Sequence, residues 1–124
     1  IMFLRNDSDA LALFGTDSAD EIIKKMSDLA IPIFVLKEYK KGIHVVMSGD
    51  YQFIKYEDYY IADATGCDAA FNGAFLSSYL NGSNPFYCAK FANALAMLQI
   101  QKVGAVKSIP NRKNVEKLFG EIYG

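Results

Sequence analysis

The densest grouping of chemically useful residues is Asp63-Ala64-Thr65-Gly66-Cys67-Asp68, a polar turn that leads into Ala69-Ala70-Phe71. A Thr-Gly turn opening a helix leaves the first amide N–H groups without intrahelical partners, at the positive end of the helix dipole. That combination attracts an anion, and phosphate is the ligand the geometry favours. Spacing alone also fits an ordinary helix start that binds nothing. Other chemistry is harder to assemble. One histidine, His44, and two distant cysteines, Cys67 and Cys88, supply neither a zinc cluster nor a Cys–His nucleophile pair. His44 lies in an apolar run and reads as a strand residue rather than a ligand.

The elements around the turn follow from periodicity and punctuation. Ile1-Met2-Phe3-Leu4 reads as a buried strand, Ser8 to Phe14 as a short helix ended by Gly15, and Ser18 as the N-cap of a second helix with Glu21 three residues on. Ile22, Ile23, Met26 and Leu29 give that helix its apolar stripe. Ile31 to Leu36 is a continuous apolar run, expected of a strand covered on both faces. Lys40-Lys41-Gly42 and Ser48-Gly49-Asp50 then turn the chain into strands at Ile43–Met47 and Tyr51–Tyr56, as antiparallel hairpins. Tyr59-Tyr60-Ile61 reads as a short strand before the Thr-Gly turn. Three helices follow, over about Cys67–Tyr79, from after Asn84-Pro85 to about Lys102, and over about Asn111–Tyr123. Buried strands mixed with amphipathic helices predict an α/β fold, a sheet sandwiched between helix layers.

The 124 residues suit a single domain spanning 1–124. A formal net charge of −1, with no basic cluster longer than two lysines, gives nucleic acid no electrostatic footprint. Apolar runs such as Phe91 to Leu98 fall well short of the roughly 20 residues that span a bilayer, so no membrane role is expected. Sparse cysteines and the lack of a visible signal peptide predict a cytoplasmic setting. Because the sequence opens inside a core strand, truncation at the N-terminal side is expected as well.

The order of residues from Asp63 to Phe75 resembles the signature of the PfkB/ribokinase carbohydrate kinases, whose usual form is D-T-T-G-A-G-D-A-F-N-G-G-F. Asp63, Thr65, Gly66, Ala70, Phe71, Asn72, Gly73 and Phe75 match without a gap. Downstream, Phe91-Ala92-Asn93-Ala94-Leu95-Ala96 resembles the family's alanine-rich helix near the adenine. Val103-Gly104-Ala105 and Ser108-Ile109-Pro110 resemble the G-A and S-x-P before its last helix. Upstream, Asn6-Asp7-Ser8-Asp9 is similar to the N-x-x-E motif of the magnesium-phosphate region, with Asp9 in place of glutamate. Lys37 to Gly42 falls where the family often has T-x-G-x-x-G beside the nucleotide, retaining Gly42 but placing Tyr39 at the first glycine.

That resemblance implies a three-layer ribokinase-like sheet flanked by helices, and ATP with Mg²⁺. Gly66, Cys67 and Asp68 take the anion-hole positions for the transferred phosphoryl group. Ala69 takes the position of the aspartate that accepts the sugar hydroxyl's proton, and alanine has no proton acceptor. Loss of a general base typically costs about 10²- to 10⁴-fold. Asp68, one position earlier, substitutes only with a shortened loop and an extra helical residue. The resemblance further implies nucleotide contacts at Gly42, Asn93 and Gly104, magnesium near Asn6 and Asp9, and a monovalent cation at Asp63 and Thr65. Its partners are a nucleotide, and a sugar only with the missing N-terminal half. A sheet deprived of its N-terminal strands has an open edge, which favours a homo-oligomer or association with a separate first half. Three readings follow: the ATP-binding part of a sugar kinase, inactive alone; a non-catalytic nucleotide- or anion-binding remnant; and a structural or assembly domain using the exposed sheet edge.

Overall fold

The first part of the chain, Ile1–Tyr56, alternates strands and helices as β1 (Met2–Arg5), α1 (Asp9–Phe14), α2 (Ala19–Asp28), β2 (Ile33–Glu38), β3 (Gly42–Met47) and β4 (Asp50–Lys55). The computed structural model describes residues 1–56, 67–100 and 112–123. Strands lie in the order β1-β2-β3-β4. β1 and β2 are parallel, and the two hairpins β2–β3 and β3–β4 are antiparallel. A parallel pair needs a crossover, and α1 with α2 supplies it. The expected β2 start at Ile31 moves to Ile33. Proline at 32 has no N–H for the ladder, and its carbonyl instead accepts the Ser48 N–H at 2.8 Å.

Alternation along the strands decides what lies under the helices. Leu4, Phe34, Leu36 and Val46 share one face and pack with Ala10, Ala19, Ile22 and Met26. Each fully buried Ile or Met side chain contributes about 1.5–3 kcal/mol. The stripe on α2 is therefore Ile22 and Met26, with Ile23 partly buried. Leu29 departs from the expectation: it sits at the helix C-cap and is 61% exposed. Val35, Ile43, Val45 and Ile54, on the opposite face, are also buried, as a strand covered on both sides requires.

Local chemistry fixes the turns. Ser18 caps α2, its hydroxyl accepting the Glu21 N–H. Ser48 and Gly49 both have positive φ, 48° and 91°, the backbone of a two-residue type I′ hairpin loop. Gly42 has no room for a side chain. A Cβ there would collide with the Ile54 carbonyl and approach Phe53 Cζ to 2.7 Å.

One polar chain ties β2, β3 and β4 together. His44, 7% exposed, bonds through Nε2 to Glu38 Oε1 at 2.8 Å and through Nδ1 to the Tyr51 hydroxyl at 2.7 Å. An ionised carboxylate only accepts, so Nε2 carries a proton. The Lys41 ammonium lies 3.4 Å from Glu38 Oε2. Burial opposes ionisation of Glu38, but the hydrogen bonds and charges of His44 and Lys41 outweigh it and hold the carboxyl below its ordinary 4.5. Burial also pushes the Tyr51 phenol up, helped by Asp20 and Glu38.

The second unit, Glu57–Gly124, contains α3 (Cys67–Leu80), α4 (Pro85–Ile100) and α5 (Arg112–Tyr123). The expected strand at Tyr59–Ile61 lies outside the described residues. α3 ends in a Schellman motif: Ser83 N–H donates to Ser78 O at 3.1 Å, Gly82 N–H donates to Tyr79 O at 3.0 Å, and Gly82 has φ +92°. Asn84 then caps α4, its Oδ1 accepting the Phe86 N–H at 2.7 Å, with Pro85 at the first helical position. Phe91, Ala94 and Met97 of α4 pack with Val115 and Leu118 of α5. Among the described residues no helix is long and apolar enough to cross a membrane.

Two outcomes are expected. Gly42→Ala overpacks the β3–β4 contact and costs about 1–3 kcal/mol, read as a lower urea midpoint with an unchanged slope. The stabilisation from ionised Glu38 is present above about pH 4.5 and lost as pH falls through its lower folded value. The difference in urea midpoint between the wild type and Glu38→Gln should therefore shrink as pH drops below that point.

Candidate functional site

Parallel pairing of β1 with β2 puts their carboxyl ends, Arg5-Asn6 and Glu38-Tyr39, on one edge of the sheet. In open α/β sheets that edge is where ligands bind. Asn6 joins the segments that meet there. Its N–H donates to Lys37 O at 3.1 Å, its Oδ1 accepts the Tyr39 N–H at 2.9 Å, and its Nδ2 donates to Asp17 O at 3.0 Å. Asp9 comes to the same place, where its carboxylate accepts the Arg5 N–H at 3.2 Å. The structure thus brings Asn6 and Asp9 together at the end of β1.

A cleft of about 470 Å³ opens beside them, lined by Asn6, the Asp17–Asp20 segment, Glu38, Tyr39, Lys41 and His44. Its charge decides what it cannot hold. Asp17, Asp20 and Glu38 face one ammonium, Lys41, which is already paired with Glu38. A phosphate would meet net repulsion there. Sequence reasoning took His44 as a strand residue, which it is, but missed its two partners. The signal was present in the hairpin register, which pairs His44 with Leu36 and leaves Glu38 two residues away on the same face.

The turn from Glu38 to Gly42 is closed by a hydrogen bond from Lys41 N–H to Glu38 O at 3.0 Å, with Lys40 at φ +64°. Tyr39 is 58% exposed, with Lys40 Nζ 5.3 Å from its ring centroid. Gly42 faces β4 with its bare Cα, so a ligand contact at Gly42 runs through its backbone.

In the second unit, α3 begins at Cys67, directly after Thr65-Gly66. Cys67, Asp68 and Ala69 form its first turn, where backbone N–H groups have no intrahelical acceptor. Ala69 is exposed and offers only a methyl group. Asp63, Thr65, Gly66 and Gly104 lie outside the described residues, as do the side chains of Cys67 and Asp68. Asn93 is 2% exposed in α4, and its Nδ2 donates to the Tyr123 hydroxyl of α5 at 2.8 Å. Sequence reasoning singled out Asn93 but not this partner, which is 30 residues away. Cys88 is buried, and burial pushes its thiol pKa up, so it is no ready nucleophile.

Comparison with known proteins bears on the family and the fold. The family model for pfkB family carbohydrate kinases matches residues 2–112. A ribokinase of Haemophilus influenzae is 30% identical over 113 residues, covering 87% of this chain and 37% of that protein. A nucleoside kinase of Methanothermobacter thermautotrophicus is 29% identical over 121 residues, covering 90% of this chain and 38% of that protein. Among solved structures, the Arabidopsis thaliana ribokinase complexed with ribose and ATP matches with a TM-score of 0.79 and 28% identity, covering 96% of this chain and 41% of that one. The chain spans less than half the length of each of these proteins. With a mixed sheet and helices arranged as in ribokinase and a family match from Met2 to Arg112, the chain belongs to the pfkB family of carbohydrate kinases.

Proposed function

We propose that the chain is the ATP-binding part of a carbohydrate kinase, with the first turn of α3 receiving the phosphates of the nucleotide. The observation that carries this reading is the start of the 14-residue helix α3 at Cys67, immediately after the Thr65-Gly66 turn of the matched signature. The anion-hole positions Gly66, Cys67 and Asp68 fit charge developing on a transferred phosphoryl group, where fixed dipoles supply much of the acceleration. Mg²⁺ supplies charge neutralisation on the phosphates when it is bound. Gly42 and Gly104 fit backbone approaches to the nucleotide. Asn93 acts through the α4–α5 packing, since its amide donates to Tyr123. Asp63 and Thr65 stand where the resemblance implies a monovalent cation.

In this reading the chain does not phosphorylate a sugar by itself. Ala69 occupies the position of the base, and orienting a sugar hydroxyl needs residues from a sugar-binding half, in the same protein or a separate one. Asp68 adds a negative charge at a position where the family signature has glycine, which weakens binding of an anion at the helix start. A second reading, a structural or assembly domain that uses a sheet edge, differs from the first in requiring no nucleotide at all.

Calorimetry of the chain with ATP-Mg²⁺ should give saturable heat, and Asp68→Gly should tighten binding by about three- to tenfold. No heat at millimolar nucleotide would leave only the assembly reading. Supplied with a sugar-binding half from a family member, Ala69→Asp should raise sugar phosphorylation by about 10²- to 10⁴-fold over the unmodified chain in a coupled ADP assay.

A further inference from the structure

Asn6 stands where the family resemblance puts a residue of the magnesium-phosphate region, yet its contacts assign it other work. We infer that Asn6 is a positioning residue for the Glu38–Gly42 turn. The inference rests on the proposed nucleotide contact at Gly42, the last residue of that turn.

Geometry carries the case. The β2–β3 ladder ends at the pair Glu38 and Gly42, so the N–H of Tyr39 lies beyond the last paired residue. Asn6 Oδ1 accepts that N–H at 2.9 Å. The other end of the same amide, Nδ2, donates to Asp17 O at 3.0 Å, just before the Ser18 cap of α2. The Asn6 N–H reaches Lys37 O at 3.1 Å. One residue therefore ties the end of β1 to a turn 33 residues away and to a helix start 11 residues away.

The chemistry of the side chain fits this task closely. A carboxamide supplies an acceptor and a donor from one short, uncharged planar group. Aspartate would keep the acceptor for Tyr39 but turn an anion towards the Asp17 carbonyl, in a cleft that already holds Asp17, Asp20 and Glu38. The turn has reason to need outside support. Lys40 holds a left-handed backbone at φ +64°, which a residue other than glycine adopts at a cost. Its internal closure is the Lys41–Glu38 bond. With Tyr39 anchored from outside, the turn is set before any ligand arrives.

The test is amide hydrogen exchange by NMR on the free chain, paired with calorimetry using ATP-Mg²⁺. Asn6→Ala should speed exchange at the Tyr39 amide about tenfold relative to core amides of β3, with Lys41 following, and should weaken nucleotide binding. Asn6→Asp retains the acceptor, so Tyr39 protection should return towards the wild-type level. If Asn6→Ala proves too unstable, the Asn6→Asp comparison with wild type still decides, because a lost Tyr39 protection there contradicts the assignment. Weakened ATP binding with unchanged Tyr39 exchange would mean that Asn6 meets the ligand directly, and the inference falls. Faster Tyr39 exchange in a chain whose wild type gives no heat with ATP upholds the clasp and overturns the nucleotide reading instead.

Discussion

The parallel pairing of β1 with β2 is the constraint on which the first unit depends. Parallel strands cannot be joined by a hairpin, so the chain must cross over, and the crossover must bury one face of what it crosses. Ile22 and Met26 meet that demand against Phe34 and Leu36. The pairing has a second effect. It brings Asn6 and Tyr39, far apart in sequence, to the same edge, where one carboxamide holds both the turn and the start of α2. Without the crossover there would be no such edge and no cleft beside it.

Electrostatics separates the two places where a ligand was expected. The cleft beside Asn6 is acidic, and its buried histidine has both ring nitrogens engaged, so its polar groups largely satisfy one another. The start of α3 has the opposite backbone character, the positive end of a 14-residue helix. The sequence departs from the family's usual signature at that second place, at Asp68 and Ala69.

Much of the fold was legible in the residues because local chemistry and global packing agree. Ser18 with Glu21, Ser48-Gly49 and Asn84-Pro85 each named a boundary that the structure keeps. Leu29 shows the limit of periodicity, which continues past the point where a helix ends. The candidate site was harder to read. Asn6, Asp9 and Asn93 were recognised by position in a motif, but motif position does not say what a side chain touches. Asn93 reaches across to Tyr123 and Asn6 to Tyr39, and both contacts depend on long-range register that no local pattern encodes. The Glu38–His44 bond is the intermediate case, since hairpin spacing alone would have placed the two on one face.

The close approach at Gly42 bears on how such a chain changes over generations. Because the Ile54 carbonyl and the Phe53 ring fill the space where a side chain would go, folding alone demands glycine there. A lineage that stopped handling nucleotides would still keep Gly42. Position 69 is held by no such packing demand: it is exposed on the first turn of α3, where a carboxylate would add only about 0.3–1 kcal/mol through the helix dipole. Relaxed selection on catalysis would therefore erase the base first and the glycine last, and this sequence carries alanine at one and glycine at the other.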